Sequence, residues 1–272
     1  MDKESYFVSN FKNKKIGDDG AIIKNHIFSK DLFCEDIHFK LNWMSIRSIA
    51  KKSMLVNISD AIAMNSKPKY ALIGIVIPSH FSLSNLKELS DGFNDIADKF
   101  GIQIIGGDTT SGKKLMISIT IISESKKPLT RKSLKYGDLV AHTGILGYSK
   151  KGLTSLLRGG KIHSKHRFIS PKLRDKFIYK SAKYLRAGLD ISDGLSKDLS
   201  RLTRNKFGVK FYKKLSKHIL CSGEEYEMLV VFHPKHKNKL VSIAKKSKTT
   251  FNIFGKICRG KYISICKEHH FN

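Results

Sequence analysis

Gly107-Asp-Thr-Thr-Ser-Gly112-Lys113-Lys114, followed by Leu115-Met-Ile-Ser-Ile-Thr-Ile-Ile122, is the stretch on which the fold turns. Its first half nearly matches the phosphate-loop pattern GxxxxGK[ST] and follows a candidate strand at 102–105. Two features exclude that loop. Lys114 stands where a hydroxyl is required, and the residues after it alternate like a strand, where a phosphate loop needs a helix N-terminus. Asp108 inside the turn would also repel a phosphate unless a cation lay between them. The stretch therefore predicts strand, turn, strand, with a carboxylate presented from the turn, and not the opening of a doubly wound sheet.

The flanking sequence extends this pattern. Strands are expected at 21–28, 32–39 and 70–77, the last ended by Pro78, with another over 115–122. Ser45–Met64 carries Ile46, Ile49, Ala50, Met54, Ile58 and Ile62 at helical spacing, and 84–100 reads as an amphipathic helix closed by Gly101. Beyond the basic connector between Pro128 and Gly137, strands are expected at 138–143, 209–212, 227–232, 252–258 and 262–266. Helices are expected at 150–157, 171–184, 239–246 and from the Asp-rich turn after Leu189 to about Arg204. Strands and helices mix without a βαβ rhythm, which predicts an α+β fold with mixed or antiparallel sheets. The connector divides the chain into expected domains 1–135 and 136–272.

The 272 residues carry 51 Lys+Arg against 23 Asp+Glu, a formal charge of +28. Residues 1–135 hold 21 basic and 14 acidic side chains, and residues 136–272 hold 30 and 9, so +21 of the excess lies in the second half. The lysines are scattered and are not interleaved with aromatics at stacking spacing. The charge thus reads as a solvated surface and a general positive field, not a nucleic-acid footprint. The longest apolar run, Ala71–Ile77, is far short of the roughly 20 residues of a membrane span. The first residues lack the basic-then-apolar pattern of a secretion signal, and Cys34, Cys221, Cys258 and Cys266 form no CxxC pair or regular framework. A reducing, cytoplasmic setting is expected.

Acidic residues are scarce, yet they recur beside Gly, Ser and Thr: Gly17-Asp18-Asp19, Asp31, Ser59-Asp60, Gly107-Asp108-Thr109 and Asp190-Ile191-Ser192-Asp193-Gly194. Each carboxylate is a hard oxygen donor of the kind Mg2+ prefers. Several brought from separate loops would hold more than one ion against a nucleotide triphosphate. Taken singly, Asp193 has an alternative role as a helix cap. Asp60 lies inside a predicted helix, where a cap cannot explain it and an acid needs a partner or a polar face.

Seven stretches in order then resemble the thiamine-monophosphate kinases, a family of the PurM-like (aminoimidazole-ribonucleotide-synthetase-like) ATP-binding superfamily. They are 17–23 (GDDGAII), 31–39 (DLFCEDIHF), 56–64 (VNISDAIAM), 104–110 (IIGGDTT), 129–131 (LTR), 190–195 (DISDGL) and 222–228 (SGEEYEM). The resemblance implies a two-domain α+β architecture and a homodimer formed through the N-terminal domain, with the C-terminal domain closing over nucleotide and substrate. It implies transfer of the γ-phosphate of ATP onto thiamine monophosphate with several Mg2+ ions. By position it implies Asp19, Asp31, Asp60, Asp108, Asp190 and Asp193 as metal ligands, and Gly107, Asp108, Arg131 and Ser192 as ATP contacts. His38, Glu224 and Phe271 are implied as substrate contacts, and no general base is assigned. Other superfamily members, aminoimidazole ribonucleotide synthetase and selenophosphate synthetase, are the alternatives. A basic nucleic-acid-binding protein is a further one that leaves the Asp clusters unexplained. Three residues depart from the family pattern: Lys30 replaces Thr beside the metal-binding Asp, Tyr148 replaces Asp, and Glu225 replaces Asp in the Gly-Glu-Asp-Tyr-Glu run.

Overall fold

The structure, a computed structural model, describes residues 3–13 and 15–267. Among these, the strands form two five-stranded sheets in an α+β arrangement. The first has the order β1-β2-β5-β3-β4, built from β1 (Ala21–Ile23), β2 (His26–Cys34), β3 (Lys67–Pro78), β4 (Gln103–Gly112) and β5 (Met116–Glu124). It is mixed: β3 and β4 run parallel, and the other pairs are antiparallel. The second sheet, β7-β9-β6-β10-β8, is antiparallel throughout. It contains β6 (Leu139–Thr143), β7 (Ala187–Asp190), β8 (Gly208–Phe211), β9 (Met228–Phe232) and β10 (Phe251–Cys258).

On β5, Ile117, Ile119 and Ile121 are fully buried while their neighbours point the other way, the period-2 pattern of a sheet with one covered face. Helix α2 (Ile46–Ala63) lies on that covered face beside α3 (Leu83–Phe100). A helix buried on one stripe is the usual surface helix. Here α2 is buried nearly all round, because it also meets β7 and α5 (Asp175–Ser181) from the second half of the chain. One hydrophobic core consequently runs from Phe33, Ile49 and Ile119 through to Phe168, Phe177 and Met228. A separate cluster lies under α6 (Leu195–Thr203), where Leu195, Leu199 and Leu202 pack with Leu189 and Leu229. Local signals set the helix ends. The Ser45 hydroxyl accepts from Ser48 N at the start of α2, and α3 has a Ser82/Asn85 capping box and a left-handed Gly101 at its end.

Several boundaries differ from the sequence reading. Strand β4 reaches Gly112, so the expected turn at 107–112 is strand, held by parallel pairing with β3 from Tyr70 to Pro78. Gly107 permits this. Its φ is +154°, and a Cβ there would fall 1.8 Å from the carbonyl oxygen of Ile73. The helix expected at 171–184 begins only at Asp175, after 171–174 without regular structure, and passes into a 3-10 turn at Ala182–Tyr184. Residues 262–266 are not a strand. Cys221 and Cys266, unpaired in the spacing reading, form a disulfide across 45 residues. Helices α1 (Lys3–Ser9) and α7 (Lys217–Leu220) were not anticipated. Between α3 and α5 lies α4 (Tyr148–Leu157), and α8 (Lys237–Lys246) precedes β10.

Candidate active site

Three of the six acids collect at the seam between the two sheets. Asp19 lies in the turn before β1, Asp60 near the end of α2 and Asp190 at the end of β7. One oxygen of each lies within 4.8 Å of the others. The Asp19 side chain is 2% exposed and Asp190 is equally buried. Carboxylates so close and so dry oppose each other's ionisation. Burial, with Asp190 adding to it and Arg131 opposing it, lifts Asp19 to about 7. Burial lifts Asp190 to about 6, against a hydrogen bond from Ser59. Asp60 is pushed well above the usual carboxylate range by burial and then by Asp31, Asp190 and Asp19. Asp31 stands outside the trio but inside its field: burial and the Asp19 charge raise it to about 6.

The surrounding residues orient the trio. Ser59 Oγ donates to Asp190 Oδ2 at 2.6 Å, and Asn57 Oδ1 accepts from Asp31 N at 2.9 Å. The Arg131 guanidinium pairs with Asp19, while its backbone N–H donates to Asp18 Oδ1 at 3.2 Å. Asp19 Oδ2 remains buried with no hydrogen-bond partner. An orphaned carboxylate oxygen among converging hard-oxygen donors fits a hard divalent cation such as Mg2+.

The other expected residues are distributed as follows. Asp108 lies on the exposed edge strand β4, its Oδ1 accepting from Thr109 N at 2.9 Å, and is not brought into the trio. Gly107 precedes it, fixed by its contact with Ile73. Asp193 also lies outside the trio, paired with Arg201 and, at 3.7 Å, with Lys197. Ser192 supplies the carbonyl that accepts from Glu224 N at 2.6 Å. His38 Nδ1 accepts from Cys34 N, and its ring stacks on Phe33 at 5.4 Å. Phe271 lies outside the described residues. Lys30 turns to Ser118 Oγ on β5. Glu225 Oε1 accepts from Gly147 N at 2.7 Å and Ser149 N at 3.2 Å, so its extra methylene lets it cap the start of α4.

Sequence reasoning missed the roles of four residues here: Lys52, Asn57, Ser59 and Asp198. Asn57 lies four residues after Ser53 and three before Asp60, one polar stripe along the largely apolar second half of the helix, and that spacing was the available signal. Asp198 is fully buried, accepts from Asp193 N at 3.1 Å and pairs with Arg201 at 3.2 Å. It is the first-turn acid of α6 and could have been read as such.

Residues 17–124 match the model of the AIR synthase related protein, N-terminal domain. The thiamine-monophosphate kinase of Nitrosopumilus maritimus is 31% identical over 83% of this chain and 79% of its own length. That of Buchnera aphidicola subsp. Schizaphis graminum is 35% identical over 86% and 81%. Among solved structures, AaThiL complexed with AMPPCP and TMP superposes with a TM-score of 0.87 over 99% of this chain and 96% of that one, at 23% identity. Thiamine monophosphate kinase from Aquifex aeolicus gives 0.83 over 95% and 93%, at 22%. At that identity the superpositions carry the fold, and the curated relatives carry the family. With the mixed first sheet, the acidic seam and these relatives in agreement, the chain belongs to the thiamine-monophosphate kinase family.

Proposed function

We propose that this protein transfers the γ-phosphate of ATP to thiamine monophosphate, giving thiamine diphosphate and ADP, at the seam built by Asp19, Asp60 and Asp190. The observation that carries the reading is this trio, with one buried oxygen lacking a partner. Asp19, Asp60 and Asp190, with Asp31 beside them, are the residues that would hold Mg2+. Asp108 and Asp193 join them only if side chains move when nucleotide binds. Magnesium bound there supplies charge neutralisation for the transferring phosphoryl group.

The rest falls to the chain's own residues. An oxygen of the acceptor phosphate attacks the γ-phosphorus in line, the bond to the bridging oxygen breaks, and ADP leaves. The acceptor is already anionic, so no general base is required. Catalysis comes from positioning and from fixed charge. Arg131, held firmly protonated by the acids around it, is the guanidinium available to phosphate oxygens. Gly107 and Ser192 offer backbone near the nucleotide, and His38 and Glu224 face the substrate. The lysine-rich surface draws both anions inward.

We take 1–135 and 136–272 as the two domains of this architecture. A homodimer through the first sheet is part of the proposal. Leu32, Tyr70, Leu72, Ile104, Ile105 and Met116 expose apolar side chains there, and β4 is an open edge. A cytoplasmic setting is part of the proposal, and the Cys221–Cys266 disulfide stands against the reducing environment expected from the cysteine spacing. No described helix is long and apolar enough to cross a membrane. Incubation with ATP, Mg2+ and thiamine monophosphate should yield thiamine diphosphate and ADP in equal amounts. ADP with inorganic phosphate and no diphosphate product would refute the assignment.

A further inference from the structure

Lys52 is the one fully buried lysine among the described residues, in a chain whose other lysines lie toward solvent. It projects from the first half of α2 into a box of two rings. Its Nζ lies 3.8 Å from the centroid of Phe168 and 5.5 Å from that of Phe33. The side of the box opposite the rings is a carboxylate: Nζ is 3.2 Å from Glu224 Oε2. Burial pulls the ammonium pKa down, and Glu224 pulls it back up.

Glu224 is itself unusual. Its φ is +54°, in the left-handed region that side chains other than Gly, Asn and Asp rarely occupy, and its N–H is tied to Ser192 O. One carboxylate oxygen is engaged by Lys52, while the other, Oε1, is buried and has no hydrogen-bond partner. A methionine would fill the Phe33–Phe168 box with no charge to desolvate, so packing does not account for a lysine there. What the ammonium does that an apolar chain cannot is fix which Glu224 oxygen is held and which is left to a ligand.

We infer that Lys52 is a positioning residue: it orients the Glu224 carboxylate so that Oε1 faces the substrate, and it ties that carboxylate to the helix carrying Asp60. Eight residues separate Lys52 from Asp60, about 12 Å along one rigid helix. The two ends of a small molecule bound between Glu224 and the acidic trio are thereby spaced by α2. The inference rests on the reading of Glu224 as a substrate contact.

The test is a mutant cycle with Lys52→Met, Glu224→Gln and the double variant. It measures kcat, KM for each substrate and thermal midpoint. Lys52→Met should raise KM for thiamine monophosphate about tenfold, leave KM for ATP within twofold, and lower the midpoint because the Glu224 carboxylate loses its buried cation, a loss the double variant recovers. Adding it to Glu224→Gln should cost nothing further. Lys52→Gln, which keeps an N–H donor toward Glu224, should fall between wild type and Lys52→Met, and it keeps the test open if the methionine variant folds poorly. If Glu224→Gln raises KM for thiamine monophosphate and Lys52→Met does not, the inference is overturned and the substrate reading stands. Unchanged KM in Glu224→Gln would instead remove the substrate reading. Equal defects in both Lys52 variants, with both KM values raised and the midpoint not recovered in the double variant, would show a purely structural role and overturn the inference.

Discussion

Replacing Asp60 by Asn should stabilise the metal-free protein while abolishing its Mg2+-dependent turnover. Two unit charges 4.8 Å apart, the outer spacing within the trio, repel by about 3.5 kcal/mol at an effective dielectric of 20. The cluster lowers this by retaining protons and by pairing Asp19 with Arg131, so the net relief from an isosteric neutral side chain is about 2 kcal/mol. For a chain of this size that corresponds to a rise in thermal midpoint of roughly 4–8 °C.

The pH dependence has a defined sign. Asp19, Asp31 and Asp190 have folded-state values of about 7, 6 and 6, above the ordinary 3.8. Their favourable contribution is complete below the unfolded value and is lost as pH rises through 6–7. Wild-type protein in EDTA should therefore lose stability between pH 5 and 8, and Asp60→Asn should lose less. Magnesium at pH 8 should raise the wild-type midpoint and leave that of the variant nearly unmoved. Differential scanning calorimetry across pH, with and without Mg2+, reads all of this. A variant less stable than wild type in EDTA at pH 8 would refute the electrostatic reasoning, and near-normal turnover would refute the shared-metal site.

Other substitutions probe separate parts of the structure. Gly144→Ala places a Cβ 1.9 Å from Glu227 Oε1 at a φ of +65°, and should destabilise by about 2–4 kcal/mol, read by urea titration. Glu227→Gln breaks a buried carboxylate shared by Arg167, Arg174 and Thr143, leaving guanidinium charge uncompensated. A loss of about 3–5 kcal/mol is expected from chemical denaturation. Replacing Cys221 and Cys266 together by Ser should lower stability by at most about 4 kcal/mol, the loop-closure limit for 45 residues. Alkylation and mass spectrometry of the denatured, unreduced protein should find Cys34 and Cys258 modified and Cys221 and Cys266 protected until reductant is added.

The sequence was most informative where residue type and local context coincided. Asp19, Asp60 and Asp190 stood out because acid is scarce in this chain and each lies next to or two residues from a Gly or Ser. Asp108 and Asp193 carry the same context, but strand pairing puts one on an open edge and Arg201 occupies the other. Neither partner is a neighbour in the pattern that drew attention to them. The extent of β4 was hidden because Gly106 and Gly107 argue against a strand by propensity. Gly107 is needed there because the β3 backbone at Ile73 passes too close for a side chain. Lys52 escaped notice, and Ser59 was seen only as context for Asp60, because their partners lie 172 and 131 residues away, beyond any local window. The disulfide was illegible for the same reason, since a spacing of 45 has no local meaning.

The burial of α2 on both faces has a consequence for synthesis of the chain. The helix is complete at Ala63, and the first sheet can cover one side once β5 ends at Glu124. Its other side waits for Asp190 and Glu224, the partners of Ser59 and Lys52. At 5–20 residues per second, the ribosome takes on the order of 10 s to deliver them. During that interval the nascent chain presents an apolar helix and an unpaired ammonium to the surrounding solution. The stage of translation between residues 124 and 224 is thus the interval in which α2 has one face covered and the other still waiting for its partners.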